Sequence, residues 1–318
     1  MLVRFWGTRG SIPVAMTSAE VKRKLVAALV KGAGRRLDTP DKARAFVEED
    51  LDFTVSHTFG GNTSCVQVDS GHADYVLCDL GSGARVFGNS VLAARGPTGH
   101  RFHVLMSHMH WDHIMGFPFF MPAYIPGNHV QIYGCHDTLE EAFRRQNAAP
   151  SFPVDFSRMG ARIDFVRLET GRDYDIAGLR VRAKRQHHGG DSYGYRLEGQ
   201  GKAVVYSTDS EHKQDDPEEV RGFVEFFRDA DLVIFDAQYS LADAISVKED
   251  WGHSSNVVGV ELCQLARARR LCLYHHEPIS DDERLAALLA ETRRLEEITR
   301  SDHRVEVLAA YDGMEIAL

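Results

Sequence analysis

The stretch His108-Met109-His110-Trp111-Asp112-His113 places four potential metal ligands within six consecutive residues, directly after the apolar run at 102–106. Imidazole and carboxylate groups suit zinc, iron or manganese. In an extended segment residues i and i+2 point the same way, so His108 and His110 can bind one cation. Asp112 and His113 follow in a changed direction and can reach a second cation. A histidine-rich polar turn is the alternative, but the position after a buried strand favours metal binding.

Length and composition predict a soluble globular protein. The chain has 318 residues, of which 43% are hydrophobic and 26% are charged, and this length can bury a substantial core. No apolar run approaches the ~20 residues that span a bilayer, and the N-terminus lacks the basic-then-apolar order of a signal peptide. We therefore expect a cytoplasmic protein that does not associate with membranes.

Cysteine usage and net charge narrow the kind of site and the kind of partner. The five cysteines are scattered and contain no CxxC pair, which argues against a disulfide framework and against a cysteine-based zinc site. The formal net charge is −9, whereas a long nucleic-acid footprint usually needs a basic face. We therefore expect a small substrate rather than a long nucleic acid.

Short β-type runs and the helical segments between them predict a layered sandwich. Several runs are continuously apolar, as in sheets covered on both faces, and helices interleave with the later strands. The fold class expected is α/β (α+β), with two sheets inside and helices outside. The predicted strands are 3–6, 65–68, 75–78, 102–106, 130–133, 163–168, 179–183, 193–197, 203–206, 232–235, 271–274 and 305–309. The predicted helices are 138–147, 217–228, 256–270 and 284–299, the last with Ser280 and Glu283 as a capping box.

The segment 17–51 interrupts the strand-rich N-terminal part with two helix-like stretches. Thr17 and Glu20 form a capping-box pattern before 21–30, and the glycines at 32 and 34 end that stretch. Pro40 opens the second stretch at 41–49. We expect a helical insertion that serves as a lid, a dimer surface or a structural addition.

Further histidines and acids stand at predicted strand ends, where the core can hold a ligand rigidly. Asp209 has two oxygens and can bridge two cations, although a turn or N-cap acid is the alternative. The pairs His187-His188 and His275-His276 each end a strand, and the residues alone leave open which member of each pair is a ligand.

Three further polar residues complete the set of candidates. Asp236 ends a strand and could orient a histidine, while His253 lies in a loop before a helix, where a plain N-cap loop is the alternative. Asp79 follows the strand 75–78, and we expect it to accept a hydrogen bond that fixes a ligand imidazole.

These motifs resemble the metallo-β-lactamase-fold hydrolases, whose HxHxDH turn matches residues 108–113. Their order along the chain is similar to that of the phosphodiesterase branch, which contains ribonuclease Z and cyclic-phosphodiesterase relatives. The resemblance implies a single domain over 1–318 with a four-layer αββα sandwich, and only 17–51 has no recognised counterpart. The segments that carry the resemblance are 5–13, 60–64, the Asp79 turn, Gly194-Tyr195-Arg196, Ser207-Thr208-Asp209, Gly252-His253-Ser254 and His275.

The resemblance also assigns roles to individual residues. It implies that His108, His110 and His188 hold a first metal ion. A second ion would be held by Asp112, His113 and His275, with Asp209 bridging the two. Matching to the family selects His188 over His187 and His275 over His276. It pairs Asp236 with His253 near the scissile phosphate, so that Asp112, Asp236 and His253 are the predicted catalytic residues.

The function that follows is a dinuclear metal-dependent hydrolase, expected to act on a small or cyclic phosphodiester or a nucleotide through a hydroxide shared by two cations. Zinc is the first expectation, with manganese and iron as alternatives. Ribonuclease Z carries a long arm that clamps tRNA, and the stretch 148–160 is too short for one. The alternatives are a hydrolase of lactones, thioesters or β-lactams, and a metal-containing binding or signalling module. A homodimer is the oligomer expected, since dimers are the commonest closed assemblies.

Overall fold

A computed structural model describes residues 1–212, 216–239 and 252–318. Within them, two mixed sheets pack face to face and helices cover both outer faces. The predicted αββα sandwich is therefore confirmed. None of the helices in these ranges has the length and apolar character that crossing a membrane requires.

The strands form two seven-stranded sheets. They are, in chain order, β1 Leu2–Gly7, β2 Cys65–Asp69, β3 Tyr75–Cys78, β4 Arg101–Leu105, β5 His129–Gly134, β6 Arg162–Arg167, β7 Asp173–Ile176, β8 Leu179–Gln186, β9 Ser192–Gly199, β10 Lys202–Ser207, β11 Leu232–Asp236, β12 Arg270–Tyr274, β13 Glu306–Ala309 and β14 Glu315–Ala317. The first sheet has the order β14-β1-β2-β3-β4-β5-β6, and the second has the order β13-β12-β11-β10-β9-β8-β7. Every predicted strand is present, whereas the edge strands β7 and β14 were not predicted.

The helices that the structure describes lie outside the sheets. They are α1 Ser18–Lys31, α2 Pro40–Ala45, α3 Phe53–Ser56, α4 Gly83–Arg95, α5 Trp111–Ile114, α6 Leu139–Gln146, α7 Pro217–Phe227, α8 Asn256–Leu265 and α9 Asp282–Thr299. Shorter helical turns are a π turn at Phe46–Asp50 and 3₁₀ turns at Phe117–Phe119, Met121–Tyr124 and Phe156–Arg158. The predicted capping box of Thr17 and Glu20 is present at α1. At α9 the N-cap is Asp281, whose side chain accepts from the Arg284 N–H, so the prediction of Ser280 as the cap was wrong.

Alternating side chains of the strands build three apolar clusters. Val204 and Tyr206 of β10 point into the core between the sheets, while Val205 points to the cluster under α7, α8 and α9. On the first sheet, Leu105 of β4 faces the central core and Val104 faces the cluster under α4 and α6. Around β4 and β10 both faces of the sheets are thus covered, which explains the apolar runs in these two strands.

Helix α4 was not predicted, and it contains two glycines, Gly83 and Gly88. At both positions neighbouring atoms pack so closely against the helix that they leave no room for a side chain. A Cβ on Gly83 would lie 2.5 Å from the Trp6 carbonyl oxygen, and one on Gly88 would lie 2.8 Å from the Phe120 ring. Tertiary contact therefore explains the glycines in this helix, despite their low intrinsic propensity for it.

Candidate metal centre

All candidate ligands follow strand ends at one edge of the sandwich. In the first sheet β3 and β4 run parallel, so Asp79 and the 108–113 turn emerge side by side. In the second sheet β10, β11 and β12 are parallel, and β8 has the same direction because two antiparallel pairings separate it from β10. Asp236 is the last residue of β11, and His188, Asp209 and His275 follow the ends of β8, β10 and β12.

Three of these strand-end residues have an unusual backbone. Asp79, Asp209 and His275 have φ values of 61°, 41° and 57°, in the left-handed region that non-glycine residues seldom occupy. Such a residue costs about 1–3 kcal/mol and persists where surrounding structure enforces it. The left-handed turn bends the chain immediately after the strand and leaves the side chain at the sheet edge.

One group of ligand atoms is fully buried and contains Asp112, His113, Asp209 and His275. The Nε2 atom of His275 lies 3.1 Å from Asp112 Oδ2 and 3.3 Å from Asp209 Oδ1. The Nε2 atom of His113 lies 3.3 Å from Asp112 Oδ2 and 3.2 Å from Asp209 Oδ1. Two imidazole nitrogens and two carboxylate oxygens therefore converge on one small volume.

A second group contains His108, His110 and His188. Nε2 of His188 lies 3.0 Å from Nδ1 of His110. Asp209 adjoins this group through its other oxygen, since Oδ2 lies 3.6 Å from His108 Nε2 and 3.7 Å from His188 Nε2. The two groups thus share the carboxylate of Asp209, with one oxygen turned towards each.

Hydrogen bonds to the far side of the rings orient the histidines. Nδ1 of His113 donates to Asp79 Oδ2 at 2.7 Å, so the contact predicted for Asp79 is present. Nδ1 of His188 donates to the Gly252 carbonyl oxygen at 2.7 Å. When one ring nitrogen donates in this way, the other presents its lone pair to a metal.

Two further residues that contact the ligand histidines, Gln238 and Ser107, were not identified from the sequence. Gln238 Oε1 lies 3.2 Å from Nδ1 of His275, and Ser107 Oγ lies 3.0 Å from Nδ1 of His108. Both residues adjoin a predicted strand end, which is the only signal that could have identified them.

The remaining polar atoms indicate that the groups fit divalent cations. Nε2 of His108 is buried without a hydrogen-bond partner among the described residues. Burial lowers the pKa of His108, and the neighbouring His113 lowers it further, so this ring stays neutral. Burial raises the pKa of Asp209, but His113 and His275 outweigh this and hold it well below its usual range. Buried ionised carboxylates need a positive charge beside them, and this set of carboxylate and imidazole donors suits zinc, manganese or iron.

The neighbouring histidines His187 and His276 point away from the site. Nε2 of His187 lies 2.9 Å from Glu219 Oε2, and half of its side chain is exposed. Nε2 of His276 donates to the Ala310 carbonyl oxygen at 2.7 Å. Of the two pairs that the residues left open, the structure brings His188 and His275 into the ligand groups.

Asp236 and His253 form a pair beside both groups. Nδ1 of His253 donates to Asp236 Oδ2 at 2.8 Å. The His253 ring lies 5.0 Å from the His188 ring and stacks on the His275 ring at 5.1 Å. Burial lowers the pKa of His253, but the charge and hydrogen bond of Asp236 outweigh burial and raise this pKa to about 9. With this pKa, both ring nitrogens of His253 carry a proton at neutral pH.

The N-terminal loop after β1 closes the site from another side. The Ser11 N–H donates to Asp112 Oδ2 at 2.7 Å, which fixes that carboxylate. A Cβ on Gly10 would lie 2.5 Å from the His275 ring, so only glycine fits there. Asp312, which the sequence did not indicate, accepts from the Gly61 and Asn62 N–H groups and holds the adjoining loop.

Comparison with known proteins agrees with this architecture. Residues 75–276 match the family described as the beta-lactamase superfamily domain. The ribonuclease Z of Geobacillus kaustophilus is 25% identical over 238 residues, which cover 60% of this chain and 75% of that protein. The metallo-beta-lactamase fold protein YhfI from Bacillus subtilis superposes with a TM-score of 0.65 at 17% identity, covering 99% of this chain and 98% of that chain. The short form of human tRNase Z superposes with a TM-score of 0.58 at 19% identity, covering 100% of this chain and 99% of that chain.

The family match spans more than half of the chain and contains every candidate ligand. The resemblance seen in the sequence is therefore confirmed, and the chain belongs to the beta-lactamase superfamily, in which its relatives of metallo-β-lactamase fold include hydrolases such as ribonuclease Z.

Proposed function

We propose that this protein is a dinuclear metal-dependent phosphodiesterase that acts on small phosphodiesters or nucleotides. The observation that carries the proposal is the position of Asp209. Its Oδ1 faces His113 and His275, and its Oδ2 faces His108 and His188. A carboxylate shared in this way suits two neighbouring cations rather than one closed structural site, which usually has four ligands.

Each cation has its own ligand set in this proposal. His108, His110 and His188 would hold the first, and Asp112, His113 and His275 would hold the second. When bound, two divalent cations supply an activated water molecule as the nucleophile and offset charge on the phosphoryl oxygens. Zinc is the cation we propose, with manganese and iron as the alternatives.

The His253–Asp236 pair supplies the proton in the proposed reaction. Asp236 is fully buried and accepts from Nδ1, which holds the ring in one orientation. Nε2–H of His253 then donates to a phosphoryl oxygen or to the leaving oxygen. Because the ring contacts both His188 and His275, this donor lies next to both ligand sets.

A phosphodiester is favoured over a carboxylic ester, thioester or β-lactam by the relatives, which include ribonuclease Z. A small substrate is favoured over RNA by the net charge of −9, since phosphate-rich partners are bound through clustered basic side chains. RNA remains the alternative that the experiment must separate from the small diesters.

The test is hydrolysis by the zinc- or manganese-loaded protein. The panel is bis-p-nitrophenyl phosphate, 2′,3′- and 3′,5′-cyclic nucleotides, p-nitrophenyl acetate, a chromogenic β-lactam and a precursor tRNA. We expect turnover of the small phosphodiesters. Preferential cleavage of the acetate, the lactam or the tRNA would assign the protein to another substrate class, and two bound metals without any turnover would favour a binding module.

Two variants test the assignment of roles. His253→Ala should keep both metals and lose about 10²–10⁴-fold in kcat, whereas Asp209→Asn should lose at least one metal equivalent. His187→Ala is the matched control, because this histidine precedes a ligand but pairs with Glu219 instead. Full metal content and full rate in Asp209→Asn would rule out the bridging role.

A further inference from the structure

A cavity of about 600 Å³ lies beside the 108–113 turn. It is bounded by that turn, by the 3₁₀ turn Phe117–Phe119 and by helix α6. Its size falls within the range of about 300–1,000 Å³ that is typical of small-molecule sites. Its wall is mainly apolar and includes Met109, Trp111, Met115, Phe119 and Phe152.

The cavity and the metal centre share the 108–113 turn. Met109 and Trp111 line the cavity, while the residues on either side of them belong to the ligand groups. Consecutive Cα atoms are about 3.8 Å apart, so Met109 and Trp111 are each one backbone step from a candidate ligand. Strands β4 and β5 are parallel, and α6 follows β5 at the edge where the ligands emerge. The cavity and the candidate ligands therefore adjoin the same turn at the same edge of the first sheet.

The lining matches a flat aromatic ring. The Trp111 side chain is 74% exposed and that of Phe119 is 53% exposed, although both are large and apolar. Phe119 and Phe152 meet edge to face with ring centroids 5.5 Å apart. The thioethers of Met109 and Met115 are polarizable and make favourable contacts with aromatic rings. Stacking on exposed aromatic side chains is how proteins hold single bases.

Polar groups at the rim suit the edge of a base. Glu141 and Arg145 of α6 form an ion pair and also line the cavity. Together they offer carboxylate oxygens as acceptors and guanidinium N–H groups as donors. We propose that this cavity binds the nucleobase of a nucleotide whose phosphate lies at the metal centre. The proposal rests on the proposed phosphodiesterase function and narrows its substrate class to nucleotides.

The test measures binding rather than turnover. Adenosine 5′-monophosphate and ribose 5-phosphate share sugar and phosphate and differ by the base. Calorimetric titration of the metal-loaded protein should show the nucleotide binding about 5- to 150-fold more tightly, as expected for one stacked base. Trp111→Ala and Phe152→Ala should remove most of this difference without changing the affinity for ribose 5-phosphate, and Trp111→Phe should retain it.

Ile279→Ala is the matched control. This side chain is 77% exposed and lies four residues after the ligand His275, but it does not line the cavity. Trp111→Ala is not expected to impair folding because the side chain is mostly in solvent, and circular dichroism of each variant checks this.

The outcomes separate the two proposals. Equal affinity for both phosphates, or a preference that survives in Trp111→Ala, overturns the base site even if phosphodiesters are hydrolysed. A Trp111-dependent preference without hydrolysis supports the base site and contradicts the reaction. Trp111-dependent binding of a ten-nucleotide RNA but not of the mononucleotide overturns the inference in favour of RNA.

Discussion

The Nε2 atoms of His113 and His275 face one another across 3.3 Å in the buried interior. Nδ1 of His113 donates to Asp79, and Nδ1 of His275 lies within hydrogen-bonding distance of the Gln238 amide oxygen. If both rings are neutral, two lone pairs point at each other. The contact therefore requires either a proton or a cation between the rings.

In the absence of metal, a proton takes this place. Burial lowers the pKa of His113, but Asp209, Asp112 and Asp79 outweigh burial and hold this pKa well above its usual value. The same three carboxylates would attract a divalent cation, which binds the deprotonated ring. Metal binding and protonation of His113 thus compete for one position.

Removal of metal should destabilise the fold. A cation that binds only the native state adds about 4 kcal/mol at a concentration 1,000 times its Kd. We therefore expect the Tm to fall on treatment with a chelator and to recover on addition of zinc, as measured by thermal unfolding at several zinc concentrations. In Asp209→Asn the zinc-dependent gain in Tm should be smaller. A Tm that is independent of zinc in the native protein would contradict the metal centre.

Replacing Asp79 by Asn should weaken metal binding although Asp79 is not itself a predicted ligand. Oδ2 of Asp79 accepts from His113, Ser107 and Tyr206, so an amide NH₂ in that position would face donors. Loss of such an orienting group typically lowers metal affinity 10- to 100-fold, which competition with a chromophoric chelator can measure.

The control for Asp79→Asn is Tyr206→Phe. It removes one hydrogen bond to the same carboxylate but leaves His113 oriented. We expect Tyr206→Phe to change metal affinity much less than Asp79→Asn. Equal losses in the two variants would indicate that Asp79 acts only through general stability.

The strands were predictable where burial on both faces makes them continuously apolar, as in β10 and β12. The strand β7 has the sequence Asp173-Tyr174-Asp175-Ile176, whose acids face outward at the sheet edge, and β14 has only three residues. Neither pattern differs from that of a loop. Helix α4 was missed because its glycines serve tertiary packing, which no local signal reports.

The seven predicted ligands were found from the 108–113 turn, the strand ends and the family resemblance. Asp209 and His275 have left-handed backbone conformations, and no glycine in the sequence marks these two turns. The direction of the two side chains could therefore not be derived from the sequence. The contribution of Gln238 was equally hidden, because an amide after a strand end has no distinctive pattern.

Gly252→Ala should impair the first metal position selectively. A Cβ there would lie 2.5 Å from Nδ1 of His188, and the residue has a φ of +79°. Displacement of the ring would break its hydrogen bond to the Gly252 carbonyl oxygen and move Nε2 away from His110 and Asp209. We expect the metal content to fall by about one equivalent, as measured by elemental analysis of the purified protein.

Gly190→Ala separates backbone strain from the clash. Gly190 also has a positive φ, +87°, but a Cβ there meets only the His110 ring, at 4.0 Å. Both variants should lose stability to a similar degree, while Gly190→Ala should retain both metals. If both variants lose metal equally, the effect comes from loop strain and not from His188.

A pH-dependent loss of stability should arise from His212, outside the ligand groups. Its ring stacks on Phe235 at 5.1 Å and meets Phe223 edge-on at 4.2 Å. Burial, with small contributions from His187 and Lys184, lowers the pKa of His212 to about 3. The folded state therefore keeps this histidine neutral, whereas the unfolded chain takes up a proton near pH 6.5.

Proton linkage determines the direction in which stability changes with pH. The stability that neutral His212 contributes is present above pH 6.5 and is lost as the pH falls from 6.5 towards 3, because the unfolded state binds the extra proton. Between pH 7 and pH 5 this loss is about 2 kcal/mol. His212→Phe keeps an aromatic ring and cannot take up a proton. As the pH is lowered from 7 to 5, the free energy of unfolding of this variant should therefore rise by about 2 kcal/mol relative to that of the native protein. Urea unfolding of both metal-free proteins at pH 7, 6 and 5 measures the difference, in which the titration of all shared groups cancels. A difference that does not change with pH would show that His212 titrates normally in the fold.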